Sequence, residues 1–180
     1  NVRGAVTIPA ADVERAVTDQ ISGAYLALYP KSNRVLLSTH EVAAALLAAF
    51  PRVRSVEVTQ AAQTVDVVLS ERSPYALWCG EKRAGSGDPT DCFFLDDSGY
   101  VFTEAPDFSG DVFFRYFGAI NGGPVGSLFL APGEFEELDL FVRSAHDVGV
   151  KPVSLAVLDA PDAALHLSNG SKILFNRTGN

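Results

Sequence analysis

The sequence contains no methionine and begins at Asn1. It is therefore expected to be an excised or processed piece of a longer protein, with any membrane anchor lying outside it. Long apolar runs are also lacking. The longest, residues 42–50, falls well short of the roughly 20 residues that a membrane helix needs. The N-terminus carries no signal-peptide pattern. Basic runs are absent: 14 Lys and Arg face 22 Asp and Glu, for a net charge of −8 at pH 7. That balance argues against a nucleic-acid groove or a patch for anionic membranes. Cysteine is scarce, with Cys79 and Cys92 only, and the three histidines (His40, His146 and His166) are scattered. A structural zinc site needs four ligands at close intervals, so no metal is expected.

What is present is the material of a folded chain. Its 180 residues are 47% hydrophobic and 20% charged, enough for one ordinary globular domain or two small ones. Residues 2–8 alternate loosely and read as a strand. Pro9 then suits the first turn of a helix, and Val13, Ala16, Val17 and Ile21 recur at helical spacing. Residues 25–29 form a short apolar stretch ended by Pro30, followed by a turn over residues 31–34. Ser38 and Glu41 have the spacing of a capping box. Val42, Ala45, Leu46, Ala49 and Phe50 follow as a stripe that Pro51 stops. Residues 55–59 and 64–69 read as a hairpin. The order to this point is β-α-α-β-β, which predicts a sheet with helices on one face.

From Ser73 onward Phe and Gly become common. Residues 74–79, 92–95, 99–102 and 112–117 read as strands, with turns at 96–99 and 121–124. One helix is expected between Pro132 and Gly149, with Phe135, Leu138, Phe141, Val142, Ala145 and Val148 as its stripe. Residues 153–158, 164–167 and 172–175 read as strands, the last two joined by Asn169-Gly170, a strong hairpin signal. The predicted fold class is α+β: a β-α-α-β-β domain over residues 1–72, then a mostly antiparallel β-rich domain with one helix over 73–180. If Cys79 faces Cys92 across a hairpin, Leu77 falls opposite Phe94, Trp78 opposite Phe93 and Ala76 opposite Leu95. Apolar residues then oppose each other throughout. Such a pair is either a disulfide or two facing thiols.

No constellation reads as catalytic, so no enzyme activity and no cofactor are expected. Residues 121–126 lack the lysine and the strand-to-helix setting of a phosphate loop. Asp96 and Asp97 offer paired carboxylates or half a calcium site, but two aspartates before Ser-Gly read first as a turn. Ser38, Thr39 and His40 read as a helix start, and no serine sits in a nucleophile-elbow sequence. Glu71-Arg72, at the junction of the halves, reads as a solvated pair, an interdomain salt bridge or a latch between the halves.

Several runs carry a resemblance to a known family. They are Val2-Arg3-Gly4, Phe50-Pro51-Arg52-Val53 with Val56-Glu57-Val58, and residues 65–69. Glu71-Arg72-Ser73-Pro74-Tyr75-Ala76-Leu77-Trp78 follows, and then Leu95-Asp96-Asp97-Ser98-Gly99-Tyr100-Val101-Phe102. The first half resembles a POTRA domain. The whole chain resembles the extracytoplasmic part of the bacterial cell-division family FtsQ/DivIB. The motif residues that carry this are Gly4, Phe50, Pro51, Val53, Val56, Glu71, Arg72, Pro74, Trp78, Asp97, Gly99 and Phe102. The insertion over residues 80–91 and its cysteines depart from the family. The chain also stops where FtsQ-like proteins continue into another helix and a last strand, which implies a β-rich domain truncated at its C-terminus.

The resemblance implies a single-pass protein of the inner (plasma) membrane, anchored through a segment before Asn1 and acting outside the cytoplasm at the division septum. The family is a non-enzymatic divisome scaffold that recruits FtsB- and FtsL-type partners and helps control septal peptidoglycan synthesis. Lys172, Ile173, Leu174 and Phe175 are then either the candidate edge for an added partner strand or an interior strand whose own partner was cut away. An extracytoplasmic setting favours the disulfide for Cys79 and Cys92. The competing readings are a POTRA-type chaperone or docking module of an outer-membrane assembly or secretion system, and a small hydrolase or ligand-binding protein. The first would show tandem repeats, which are not seen. The second would need a pocket of convergent polar groups around His40 or His146.

Overall fold

Ser38 and Pro9 start helices for different physical reasons. In the computed structural model, which describes residues 1–22, 24–25, 29–30, 38–61, 64–81, 91–107, 112–158 and 162–177, α1 spans Ala10–Ser22 and α2 spans Thr39–Ala49. The Pro9 carbonyl accepts the first bond of α1, from the Asp12 N–H at 2.9 Å. Ser38 Oγ accepts the Glu41 N–H at 3.2 Å, satisfying a donor that the first turn of α2 leaves open. Around them run β1 (Val2–Arg3), a short antiparallel pair of β2 (Ala24–Tyr25) and β3 (Tyr29–Pro30), then β4 (Val53–Ala61) and β5 (Thr64–Glu71). The turn expected at residues 31–34 lies outside the described residues.

The fold is α+β, and the chain divides into two units, Asn1–Arg72 and Ser73–Asn180. In the first unit the sheet order is β1-β5-β4, with β1 parallel and β4 antiparallel to β5. Val13 and Val17 of α1 and Val42 and Leu46 of α2 are buried against Val53, Val67 and Leu69. Each such side chain contributes about 1.5–3 kcal/mol on burial. Strand β1 is shorter than residues 2–8 predict. Gly4 sits at φ 86°, and a Cβ there would run into the Leu69 carbonyl oxygen. Only glycine permits that approach, and the chain turns away from the sheet at this point.

The second unit holds a seven-stranded sheet of order β12-β11-β10-β9-β6-β7-β8. Its strands are β6 (Ala76–Trp78), β7 (Phe93–Leu95), β8 (Val101–Glu104), β9 (Arg115–Phe117), β10 (Pro152–Val157), β11 (Asp162–Leu167) and β12 (Lys172–Asn176). Strand β9 pairs parallel with β6 and β10, and the other neighbours are antiparallel. Helix α3 (Glu134–Asp147) connects β9 to β10, as a parallel pair requires. Phe135, Leu138 and Val142 of α3 pack with Trp78, Leu95, Tyr116, Leu155 and Leu165. The opposite face buries Leu77, Phe94, Phe102, Phe117, Ala156 and Ala164. Val148, expected in the helical stripe, is 80% exposed because α3 ends one residue earlier, and Phe141 is half-exposed.

Cys79 and Cys92 are bridged. The register beside them is Ala76↔Leu95, Leu77↔Phe94 and Trp78↔Phe93, the one expected if Cys79 faces Cys92. The Cys79 N–H turns away from Cys92 to the Tyr116 carbonyl at 3.0 Å. The cysteines therefore face each other as a non-hydrogen-bonded pair, the arrangement that brings Cβ atoms closest. Closing a loop of 13 residues stabilises by about 3 kcal/mol through the unfolded chain. Most of the insertion, residues 82–90, lies outside the described residues.

Candidate functional site: an open strand edge

The hairpin of β11 and β12 is set by its turn. Asn169 Oδ1 accepts the Ser171 N–H at 2.9 Å, and the Gly170 N–H bonds the Leu167 carbonyl at 3.0 Å. Gly170 holds φ 84°, which its lack of a Cβ allows. The next bond runs from the Leu167 N–H to the Ser171 carbonyl at 2.9 Å. Backbone direction alternates along an antiparallel pair, so this bond fixes the phase of the whole strand. Ile173 and Phe175, opposite Leu165 and Ala163, turn their backbone groups toward β11. Lys172 and Leu174 turn theirs outward. The bond from the Leu158 N–H to the Asp162 carbonyl, 2.9 Å on the other side of β11, requires the same phase.

The two ends of the sheet differ. At the β8 end, the Val101 N–H bonds the Ser127 carbonyl at 2.9 Å and the Gly126 N–H bonds the Val101 carbonyl at 2.8 Å. A loop thus covers that edge. Strand β12 ends the sheet order with β11 as its neighbour, and no further strand joins it among the described residues. Its apolar side chains remain partly in water: Ile173 is 40% and Leu174 61% exposed. Ile173 and Phe175 point to the α3 face, where Phe175 meets Phe141 with ring centroids 4.5 Å apart. Leu174 lies on the face of Ala164. Strand β4 also ends a sheet, but Arg54, Glu57, Thr59 and Gln60 give it an exposed polar surface, which blunts unwanted pairing.

Within each unit the motif residues from the sequence are spread through the structure. Phe50 caps α2, and its N–H bonds the Leu46 carbonyl at 3.0 Å. Val53 is buried and Val56 partly so in the first core. Arg72 Nε bonds the Pro51 carbonyl at 3.1 Å. Pro74 is exposed, while Trp78 is buried with its Nε1–H on the Gly118 carbonyl at 2.9 Å. Phe102 stacks on Phe94 at 6.1 Å. These are positions of structure. The expected 96–99 turn is organised by Asp96. Asp96 is fully buried, and its Oδ1 accepts the Ser98 N–H at 2.9 Å, the Ser98 hydroxyl at 2.6 Å and the Tyr100 N–H at 3.1 Å. Asp97 is exposed.

Glu71 is tied to the start of the chain. Glu71 Oε1 accepts the N–H groups of Val6, Thr7 and Ile8 at 2.7, 2.8 and 3.0 Å, and Arg52 Nε stands 3.7 Å from its other oxygen. Each of these bonds stays within residues 1–72. Burial pushes the Glu71 carboxyl up, but the three amide bonds outweigh it and hold it below its usual value. A depressed carboxyl contributes stability above its unfolded value near 4.5, lost as pH falls through the folded value. Glu71→Ala is expected to cost about 1–2 kcal/mol at pH 7 and much less at pH 3, read by urea unfolding at both pH values. An equal cost at both would show that the charge plays no part.

A second polar cluster is not apparent in the sequence. Asp139, buried on α3, accepts the Tyr75 hydroxyl at 2.7 Å, the Tyr116 hydroxyl at 3.1 Å and the Arg143 Nε–H at 2.9 Å. Burial raises both tyrosines, and a phenolate beside the Asp139 carboxylate is disfavoured further. Tyr75 is pushed up to about 12, and Tyr116 higher still. Neither hydroxyl is poised as a base or nucleophile near neutral pH. The signal was an acid at the Asp139 position, one residue after Leu138, on the buried side of an apolar stripe.

Among the described residues no group of three or more His, Cys, Asp or Glu is placed to hold a metal ion. A groove of ≈ 380 Å³ is lined by residues 119–121 and 127–131 with Glu134, and no histidine reaches it. His40 and His146 are exposed on α2 and α3. No helix among the described residues is long and apolar enough to cross a membrane. No protein-family model and no curated protein matches the chain in sequence.

Proposed function

We propose that this chain is the extracytoplasmic scaffold region of a single-pass inner-membrane protein of the FtsQ/DivIB kind, which recruits FtsB- and FtsL-type partners to the division septum. On this reading it has no turnover. It binds by accepting a partner strand on β12 and so helps control septal peptidoglycan synthesis. The observation that carries the reading is the edge itself: outward backbone groups at Lys172 and Leu174, with exposed Ile173 and Leu174 beside them. Backbone pairing supplies affinity in this mode, and alternate side chains supply selectivity. The runs from Glu71 to Trp78 and from Leu95 to Phe102 add the family resemblance.

The test uses the periplasmic segment of an FtsB-type protein and calorimetry. Leu174→Pro removes one outward N–H and no bond to β11, and proline is tolerated on edge strands. Binding is expected to weaken at least about tenfold, roughly 1.4 kcal/mol, while the melting temperature barely moves. Undiminished binding by this variant would rule out strand addition at β12.

A further inference from the structure

We infer that β12 also pairs with β12 of a second copy of this chain, antiparallel and about a twofold axis at Leu174. A twofold interface must be self-complementary: whatever residue i meets, its partner must meet in return. The strand Lys172-Ile173-Leu174-Phe175-Asn176 is a palindrome in chemical character, polar at both ends and apolar over the three central residues. Its centre is Leu174. The hydrogen-bond phase makes this more than a pattern. An axis through a directly hydrogen-bonded pair requires the central residue to turn its N–H and C=O outward, and Leu174 does so.

In this register Leu174 meets Leu174 of the partner subunit. Ile173 meets Phe175 of the partner subunit on the α3 face, beside Phe141. Shifting the axis to Lys172 would instead set two ammonium groups against each other. Devices that normally protect an edge are few here. Within residues 172–175 there is one lysine, no proline and no bulge in the β11–β12 register. Each chain carries a net charge of −8, so two copies repel, and added salt screens that repulsion. The dimer itself rests on the edge geometry alone. Its consequence, that self-pairing withholds the edge from a partner strand, rests on the function proposed above.

Sedimentation velocity on the full chain, from micromolar to millimolar concentration, is the first measurement. The apparent mass is expected to rise from 19.2 kDa toward the dimer, more steeply at high salt. The second is cross-linking. Both native cysteines are bridged, so Leu174→Cys introduces a thiol whose own copy lies across the axis. Cα atoms of such a pair stand about 5.5 Å apart, within disulfide reach. Leu174→Cys is expected to cross-link to itself under mild oxidation, while Ile173→Cys, displaced from its own copy along the strand, is not. A chain monomeric at every concentration, a dimer weakened by salt, or equal cross-linking by the two variants would overturn the inference. The FtsB-type segment separates the two claims. A dimer indifferent to it leaves the pairing standing and removes the partner role, and a monomer that binds it does the reverse.

Discussion

Replacing Gly99 with valine will destabilise residues 73–180 by about 2–5 kcal/mol, through two separable causes. Gly99 closes the turn that Asp96 organises, with φ 78° and its N–H on the Asp96 carbonyl at 3.0 Å. A β-branched residue in that left-handed conformation costs about 1–2 kcal/mol. The second cause is space. A Cβ at Gly99 would stand 2.6 Å from the ring of Phe135, itself 1% exposed in the core beneath α3. The ring cannot retreat without disturbing its neighbours, so overpacking adds about 1–3 kcal/mol. Gly122 isolates the first cause, because it holds φ 88° with nothing within 4 Å of its would-be Cβ. Gly122→Val is expected to cost only the conformational part. Urea unfolding of both variants makes the comparison. If the ring clash is real, Gly99→Val in a Phe135→Leu background costs less than the two changes added, because the sites share one volume. Equal costs for Gly99→Val and Gly122→Val would show that Phe135 is irrelevant.

The same region shows which kinds of information a sequence carries. The β6–β7 register was legible because setting Cys79 opposite Cys92 fixes it, and a one-residue slip would part the two cysteines. The Asn169-Gly170 turn was legible because few dipeptides accept that backbone. The parallel place of β9 between β6 and β10 was not, since a three-residue strand with two buried aromatics reads alike in any central position. The partners of Glu71 were not legible for a related reason. Its partners are amides of residues 6–8, and every residue but proline supplies an amide, so no side-chain pattern announces them. The candidate edge was legible as a strand. Its outward phase at Leu174 emerged only once the Leu167–Ser171 bond was placed.

Asp139→Ala will cost about 3 kcal/mol, and it will flatten the alkaline limb of the stability profile. The carboxylate ties three elements together: Tyr75 ahead of β6, Tyr116 on β9 and Arg143 on its own helix. Removing it leaves the buried Tyr116 hydroxyl without that acceptor, at about 1–3 kcal/mol, and deletes a charge-assisted bond to Tyr75 worth about 1.5–3 kcal/mol in a dry setting. Tyr75 is 40% exposed, so water recovers part of its share. Arg143 is more exposed still, and Arg143→Ala is expected to cost under about 1 kcal/mol. The order Asp139→Ala, Tyr116→Phe, Tyr75→Phe, Arg143→Ala follows from burial alone. The pH dependence then tests the chemistry. A phenol raised in the fold contributes stability that is complete below its unfolded value near 10 and fades as pH climbs through its folded value, about 12 for Tyr75. Wild type is therefore expected to lose stability from pH 10 upward, with α3 loosening from the sheet. Tyr75→Phe removes its own share and leaves that of Tyr116, while Asp139→Ala weakens both, because it deletes the carboxylate that, after burial, opposes their ionisation. Near-UV circular dichroism between pH 8 and pH 12 follows the aromatic packing directly. If Asp139→Ala keeps the wild-type alkaline transition, desolvation of the two rings, not the carboxylate, sets their ionisation. Asp139 then contributes through packing and hydrogen bonding alone.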